Sequence, residues 1–325
     1  MLGAIGVAAC GGGDGRGNAG PGAAGPPPSG PIGPAQRFPS ATGRTLAELR
    51  RGLGPGPRLA SSVSALEPGR DRVAFALFDR TRRQIGDTPA ALYVASADGR
   101  EVRGPFHARY EWLKVSPRYR SATVANDPDS AHSIYVAQAE FPRPGTYQVL
   151  GVAQLDQRLV AAAPITVSVR TRWKPPDVGE TAPRVHTPTT ATVRGLLQTI
   201  DTRTPPDSMH SDDLAEVLGR RPVMLLFATP GLCRSRICGP VADEMSELKG
   251  ERGGDAAFIH MEVWNANDPR RGQRDQVRAY GLPSEPWLFA IDRRGRVAAR
   301  IEGAFSRQEA RDALEVALAG APARR

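Results

Sequence analysis

The sequence predicts an N-terminal antiparallel β-sandwich followed by a C-terminal α/β domain. Three observations carry this. From about 58 to 170, short strand-like runs recur between turn signals. After Pro175-Pro176 the pattern changes to alternating helix and strand. There "PVMLLFAT" is a continuous apolar run, the mark of a strand buried on both faces. A chain of 325 residues has room for two such domains.

The elements follow in order. "MLGAIGVAAC" is a short apolar run ending in small residues before Cys10. Residues 11–45 are so rich in Gly and Pro that they cannot bury enough apolar surface to fold, and read as a tether. "RTLAELRRGLG" predicts a short helix opening the first domain, 46–172. Within it "RVAFALFD", "AALYVASADGREV", "HSIYVAQAEF", "GTYQVLGVAQL" and "RLVAAAPITVSV" are predicted strands, with a turn at Asp98-Gly99. His107 and His132 are lone residues in loop-like settings, and no group of acids or histidines here suggests chemistry, so this domain is expected to be a spacer or docking module. Residues 173–205 form a connector and lead-in.

The second domain, 206–325, should begin with a helix in "SDDLAEVLG" capped by Ser211. Then come the strand "PVMLLFAT", a helix across "CGPVADEMSELKG", the strand "AAFIHMEVW" and a helix around "GQRDQVRAYG". The strands "PWLFAID" and "RVAARIEG", turning at Arg293-Arg294-Gly295, and the helix "SRQEARDALEVALAG" complete a β-α-β, β-β-α order.

The net charge is +9, yet all but three of the 43 basic residues are arginines, scattered among acids with no basic stripe. Nucleic-acid binding is therefore not expected. No segment approaches the ~20 continuous apolar residues of a spanning helix.

Three resemblances sharpen this reading. Val7-Ala8-Ala9-Cys10 resembles a bacterial lipobox, without a basic segment before it. This implies a lipid on Cys10, signal residues over 1–10, and an extracytoplasmic protein held at the membrane by its N-terminus. "FPRPGTYQVLGVA" resembles a hairpin of immunoglobulin-like extracytoplasmic modules. "PVMLLFATPGLC", "GLPSEPWLFAIDRRGRV" and "DVGETAPRVHTPT" together resemble the thioredoxin-like superfamily, in a variant with four residues between the cysteines. That likeness spans roughly residues 177–325 and implies a thioredoxin-like domain with Pro286 in the cis-proline position.

By that resemblance Cys233 and Cys238 are the catalytic pair, and Cys233, counted from the strand end, takes the nucleophile's place. Matching the letters "CGP" instead puts Cys238 there. A cysteine at a helix start feels the dipole and free N–H groups, which favour thiolate, and Arg234 and Arg236 add positive charge. Glu285 would offer its backbone to a substrate peptide, with Trp287, Thr229 and Pro230 beside it. The implied partners are protein thiols and disulfides, and no cofactor is called for. The departures are definite. Leu226 stands where thioredoxins carry a buried acid, and Thr229 lies one residue further from Cys233 than in peroxiredoxins. Were one helix to run through both cysteines, they would lie about 140° apart around its axis and need unwinding to bridge.

Other readings stay open. The pair could serve a thiol peroxidase of peroxiredoxin type, or a non-catalytic binding module with two inert cysteines. Cys233, Cys238 and His260 could also hold Cu(I), with Met209 and His210 near in sequence. No four-ligand zinc spacing is present, and no resident metal is expected.

Overall fold

The computed structural model describes residues 38–155 and 158–320; Cys10 and the tether up to residue 37 lie outside them. Helix α1 (Leu46–Arg51) forms where the sequence places it, closed by a reciprocal Thr45–Glu48 capping box.

Ten strands follow: β1 (Gly54–Pro55), β2 (Arg58–Ser61), β3 (Gly69–Phe78), β4 (Gln84–Ile85), β5 (Ala90–Ser96), β6 (Arg103–Trp112), β7 (Ser133–Phe141), β8 (Gly145–Leu155), β9 (Arg158–Ala161) and β10 (Ile165–Val169). They join in one sheet with the order β1-β9-β8-β5-β6-β7-β3-β2, β10 adding to β8 and β4 to β3. β6 pairs with β5 through its first half and with β7 through its second. The sheet turns back on itself, because Leu59 of β2 lies over Gly151 of β8; a Cβ at 151 would come within 2.5 Å of Leu59 Cδ1. His107 lies within β6 rather than in a loop, its ring edge-on to Phe38. The Tyr147 hydroxyl donates 2.7 Å back to the Arg143 carbonyl, tying down the "PRPGTY" turn.

Between β6 and β7 sits the short helix α2 (Ala122–Ala125). After the connector come α3 (Leu214–Val217), β11 (Val223–Phe227), α4 (Cys238–Arg252), β12 (Ala257–Met261), α5 (Asp275–Tyr280), β13 (Trp287–Ile291), β14 (Val297–Glu302) and α6 (Arg307–Ala319). The predicted order holds. Asp213, not Ser211, caps α3: its carboxylate accepts from the Ala215 N–H, and the helix is a single turn. The four strands order β12-β11-β13-β14, with β12 parallel to β11 and the other neighbours antiparallel. Alternation splits them cleanly. Met224, Leu226, Leu288 and Ala290 face α4 and α6, while Val223, Leu225, Phe227, Phe289 and Ile291 face α3 and α5.

The two halves are docked, not spaced apart. One continuous apolar cluster runs from Phe75, Tyr135 and Val149 of the ten-stranded sheet to Val241 of α4 and Leu314 of α6. Polar clamps flank it. Arg72 grips the Glu309 carboxylate at 2.7 and 2.6 Å and the Ala304 carbonyl at 2.7 Å. Glu302 accepts from the Ser64 and Ala65 N–H groups at 2.9 and 2.7 Å. Asp243 of α4 takes the Ser121 N–H at 2.9 Å and the Arg203 guanidinium at 2.8 Å. No helix among the described residues is long and apolar enough to cross a membrane.

Candidate functional site

β11 ends at Phe227, and the chain runs through an irregular loop from Thr229 to Ile237 before α4 begins at Cys238. The helix begins at Cys238, as the predicted helix across "CGPVADEMSELKG" has it, and Cys233 lies in the loop before it rather than at a helix start. Arg236 takes a left-handed φ of 60°, which folds the loop back toward the helix end. No single helix runs through both cysteines, so the angular obstacle to a bridge is not present.

The helix start still acts on Cys233. Ile237, at the N-cap position, makes no side-chain cap. The backbone N–H groups of Ile237 and Cys238, which have no partner within the helix, point at the Cys233 sulfur. Ser235 Oγ lies 3.2 Å from that sulfur. The adjacent Cys238 thiol is the largest influence; with Ser235 and the two N–H groups it outweighs burial and draws Cys233 down to about 6. Arg234 and Arg236 are not among the leading causes. Arg236 is held by Asp127 at 2.6 Å, and both side chains face the solvent-open cavity. Cys238 is fully buried, and burial with the neighbouring Cys233 holds its thiol well above the ordinary range.

Against the thiols stands the Glu285–Pro286 loop, joined by a cis peptide as expected for the facing loop. The Glu285 side chain faces the thiols. Burial, then the Cys233 sulfur, pushes its carboxyl up to about 7, while the Thr229 hydroxyl and Cys238 thiol beside it pull the other way. Its Oε2 has no protein hydrogen-bond partner. An acid thus stands beside the thiols on this loop, where the strand has Leu226.

The other expected residues divide. Pro230 and Cys233 line a cavity of about 460 Å³ together with Leu232, Arg234 and Gly239. Its opposite wall comes from the ten-stranded half: Thr123, Val124, Asp127 and Ser130. Thr229 is buried, its hydroxyl accepting from the Val263 N–H at 3.2 Å. Trp287 offers no surface to a substrate: it is 2% exposed, stacks on Phe289 and donates its indole N–H to Ser284 at 3.0 Å. His260 is turned away from the thiols. Its Nδ1 meets Asp207 at 2.8 Å and its Nε2 the Ala228 carbonyl at 3.1 Å, so no Cu(I) set with Cys233 and Cys238 is assembled.

No family model matches the chain, and no curated protein matches it. Solved structures similar to part of it include one named for the thiol:disulfide interchange protein DsbE of Chlorobium tepidum. That match has 17% identity and TM-score 0.32, covering 44% of this chain and 99% of the other. A thioredoxin-family thiol:disulfide interchange protein from Chlorobium tepidum TLS has 16% identity and TM-score 0.30, over 44% and 98%. The filamin domain of Lin-41 has 12% identity and TM-score 0.19, over 37% and 99%.

Proposed function

We propose that the protein is a thiol–disulfide oxidoreductase acting on protein thiols and disulfides through Cys233 and Cys238. In the fuller reading it works outside the cytoplasm, held to the membrane by a lipid on Cys10, with an immunoglobulin-like β-sandwich as its first domain. The observation that carries the activity is the electrostatic inequality of the pair. Cys233 lines an open cavity with its thiol drawn down to about 6, and Cys238 lies sealed behind it and strongly protonated.

Each thiol then has one task. The Cys233 thiolate attacks a partner's disulfide, forming one S–S bond and releasing the partner's other sulfur as thiolate. Cys238 gives its proton to the Glu285 carboxylate and attacks the Cys233 sulfur. The Cys233–Cys238 bridge forms and the second partner thiolate leaves. Two electrons have passed from the pair to the partner, and the partner's thiolates take up protons from Glu285 and water. A thiol near 6 is both substantially ionised at neutral pH and a good leaving group, which suits the reverse direction equally.

The test is insulin reduction and isolation of trapped intermediates. Cys233→Ser should lose exchange by roughly 10³-fold or more, and Cys238→Ser should accumulate partner-linked mixed disulfides. Full activity in Cys233→Ser would remove the proposal.

A further inference from the structure

Behind the thiol site, the connector folds a second polar cluster into the protein. Asp201, Asp207 and His210 come from one stretch of the chain, His260 from β12, and all four are buried. One atom of each lies within 4.8 Å of all the others. The separations between imidazole and carboxylate are 2.8 Å for His260 Nδ1 to Asp207, 3.1 Å for His210 Nε2 to Asp201, 3.5 Å for His210 Nε2 to Asp207 and 3.8 Å for His260 Nδ1 to Asp201. Tetrahedral zinc with N and O ligands at ~2.0–2.2 Å sets its ligands about 3.3–3.5 Å apart. Each aspartate reaches the two imidazoles through different oxygens, and one atom from each of the four groups lies within 4.8 Å of the rest, so a bound ion would draw the chosen atoms slightly closer together.

The surroundings hold the four groups in ligand-like poses. His260 directs Nε2 to the Ala228 carbonyl, which fixes the ring and leaves Nδ1 facing the centre. Asp201 is oriented by the Arg203 and Asp207 N–H groups at 2.8 and 2.7 Å, and Asp207 by the Met209 N–H at 2.7 Å. His210 turns Nε2 inward while its Nδ1, buried, has no protein partner. Two carboxylates and two neutral imidazoles also cancel the charge of a divalent ion, which a dry interior requires.

We propose that Asp201, Asp207, His210 and His260 form a structural binding site for one divalent transition-metal ion, zinc by preference. Two nitrogens and two oxygens suit zinc and exclude the thiolate and thioether environment that selects Cu(I). Four protein ligands and no exposed face make it a closed site, with no position left for substrate. Its ligands are brought together only by folding, so the ion enters as the connector closes. The site shares no ligand with the thiol pair; the two are joined through Ala228, whose carbonyl meets His260, and through Thr202, which accepts the Gly231 N–H of the cysteine loop at 2.8 Å. The rival arrangement is a proton on His260 shared with Asp207, an ion pair that needs no metal.

Metal analysis of the full chain decides between them. The experiment uses a Cys233→Ser/Cys238→Ser background, so that the thiols cannot supply ligands, alongside the unaltered chain. Expected are about one zinc per chain in both, retained through gel filtration, and loss of that zinc in Asp207→Asn. Should Asp207→Asn fail to fold, Co²⁺ added during refolding of the unaltered chain reads the site directly. Tetrahedral d–d bands without thiolate-to-cobalt charge transfer support the proposal. It is overturned by folded protein without metal whose unfolding temperature ignores added Zn²⁺ during refolding. Zinc that disappears when the cysteines are replaced overturns it too.

Discussion

Helix α4 starts at the thiols and runs on along the seam it shares with α6, and each region holds a glutamate driven toward its neutral form. Glu285 beside the thiols reaches about 7, and Glu244 within the seam about 8. Burial is the largest cause in both, and each keeps one carboxylate oxygen without a protein partner. The surroundings differ. Glu285 is half-buried and stands beside Cys238 and Thr229, where a proton has somewhere to come from and go. Glu244 is 2% exposed, lowered by Arg307 and raised again by Glu247 and Asp243. A displaced carboxyl pKa therefore records dehydration; only a neighbouring nucleophile turns it into chemistry.

Replacing each acid with its neutral isostere should separate the two roles. Glu285→Gln cannot accept the Cys238 proton, so closure of the bridge near pH 7 should slow by about 10²-fold or more. The first attack by Cys233 should change far less, and mixed disulfide should build up in stopped-flow and trapping assays. In the unaltered protein, closure should accelerate as pH rises through about 7, and the variant should lose that limb. A variant that closes at the original rate, with the original pH profile, would reduce Glu285 to a structural acid.

Glu244→Gln should leave exchange untouched and alter stability instead. The folded protein keeps a proton on Glu244 that the unfolded chain releases near the ordinary value of 4.5. Stability from this group is full below that pH and is lost as pH rises toward about 8. At ~1.4 kcal/mol per pKa unit, the loss is on the order of a few kcal/mol. Denaturant midpoints measured from pH 5 to 9 should thus decline more steeply for the unaltered protein than for Glu244→Gln. Parallel declines would mean that water or a shifted Arg307 already satisfies the carboxylate.

The same contrast explains what could be read from the sequence. Strands such as Val223–Phe227 and helices such as Arg307–Ala319 announce themselves through local apolar patterning, and the cis-proline loop through its flanking residues. The two-residue strands β1 and β4 have no pattern long enough to detect; their pairing with β9 and β3 depends on the folded sheet. The Cys233–Cys238 address was legible because strand, loop and helix are contiguous. The Glu285 carboxyl beside the thiols was not, since it arrives from a loop about sixty residues after Leu226, with no local pattern tying it to the cysteines. In the other cluster Asp201, Asp207 and His210 are near neighbours in sequence, but His260 joins them from a strand fifty residues later, so no motif marks the set. Nor could sequence patterning reveal that the first half walls the cavity, because that follows from docking.

That docking gives the smallest and most local test. Gly239, second residue of α4, sits where a Cβ would come within 2.9 Å of Val124 Cγ2 on the cavity's opposite wall. Gly239→Ala favours the helix by about 1 kcal/mol in intrinsic propensity, yet it must push α2 outward or turn the Val124 side chain. The two effects oppose each other, so net stability should move by less than about 1 kcal/mol. The cavity should respond more. With α2 displaced, Thr123 and Asp127 shift relative to Cys233, and exchange with a large protein disulfide should change while reduction of a small disulfide reagent does not. Val124→Ala added to Gly239→Ala removes the obstructing methyl and should restore the original ratio of the two rates. If the ratio never moves, the first half merely borders the cavity and takes no part in selecting what enters it.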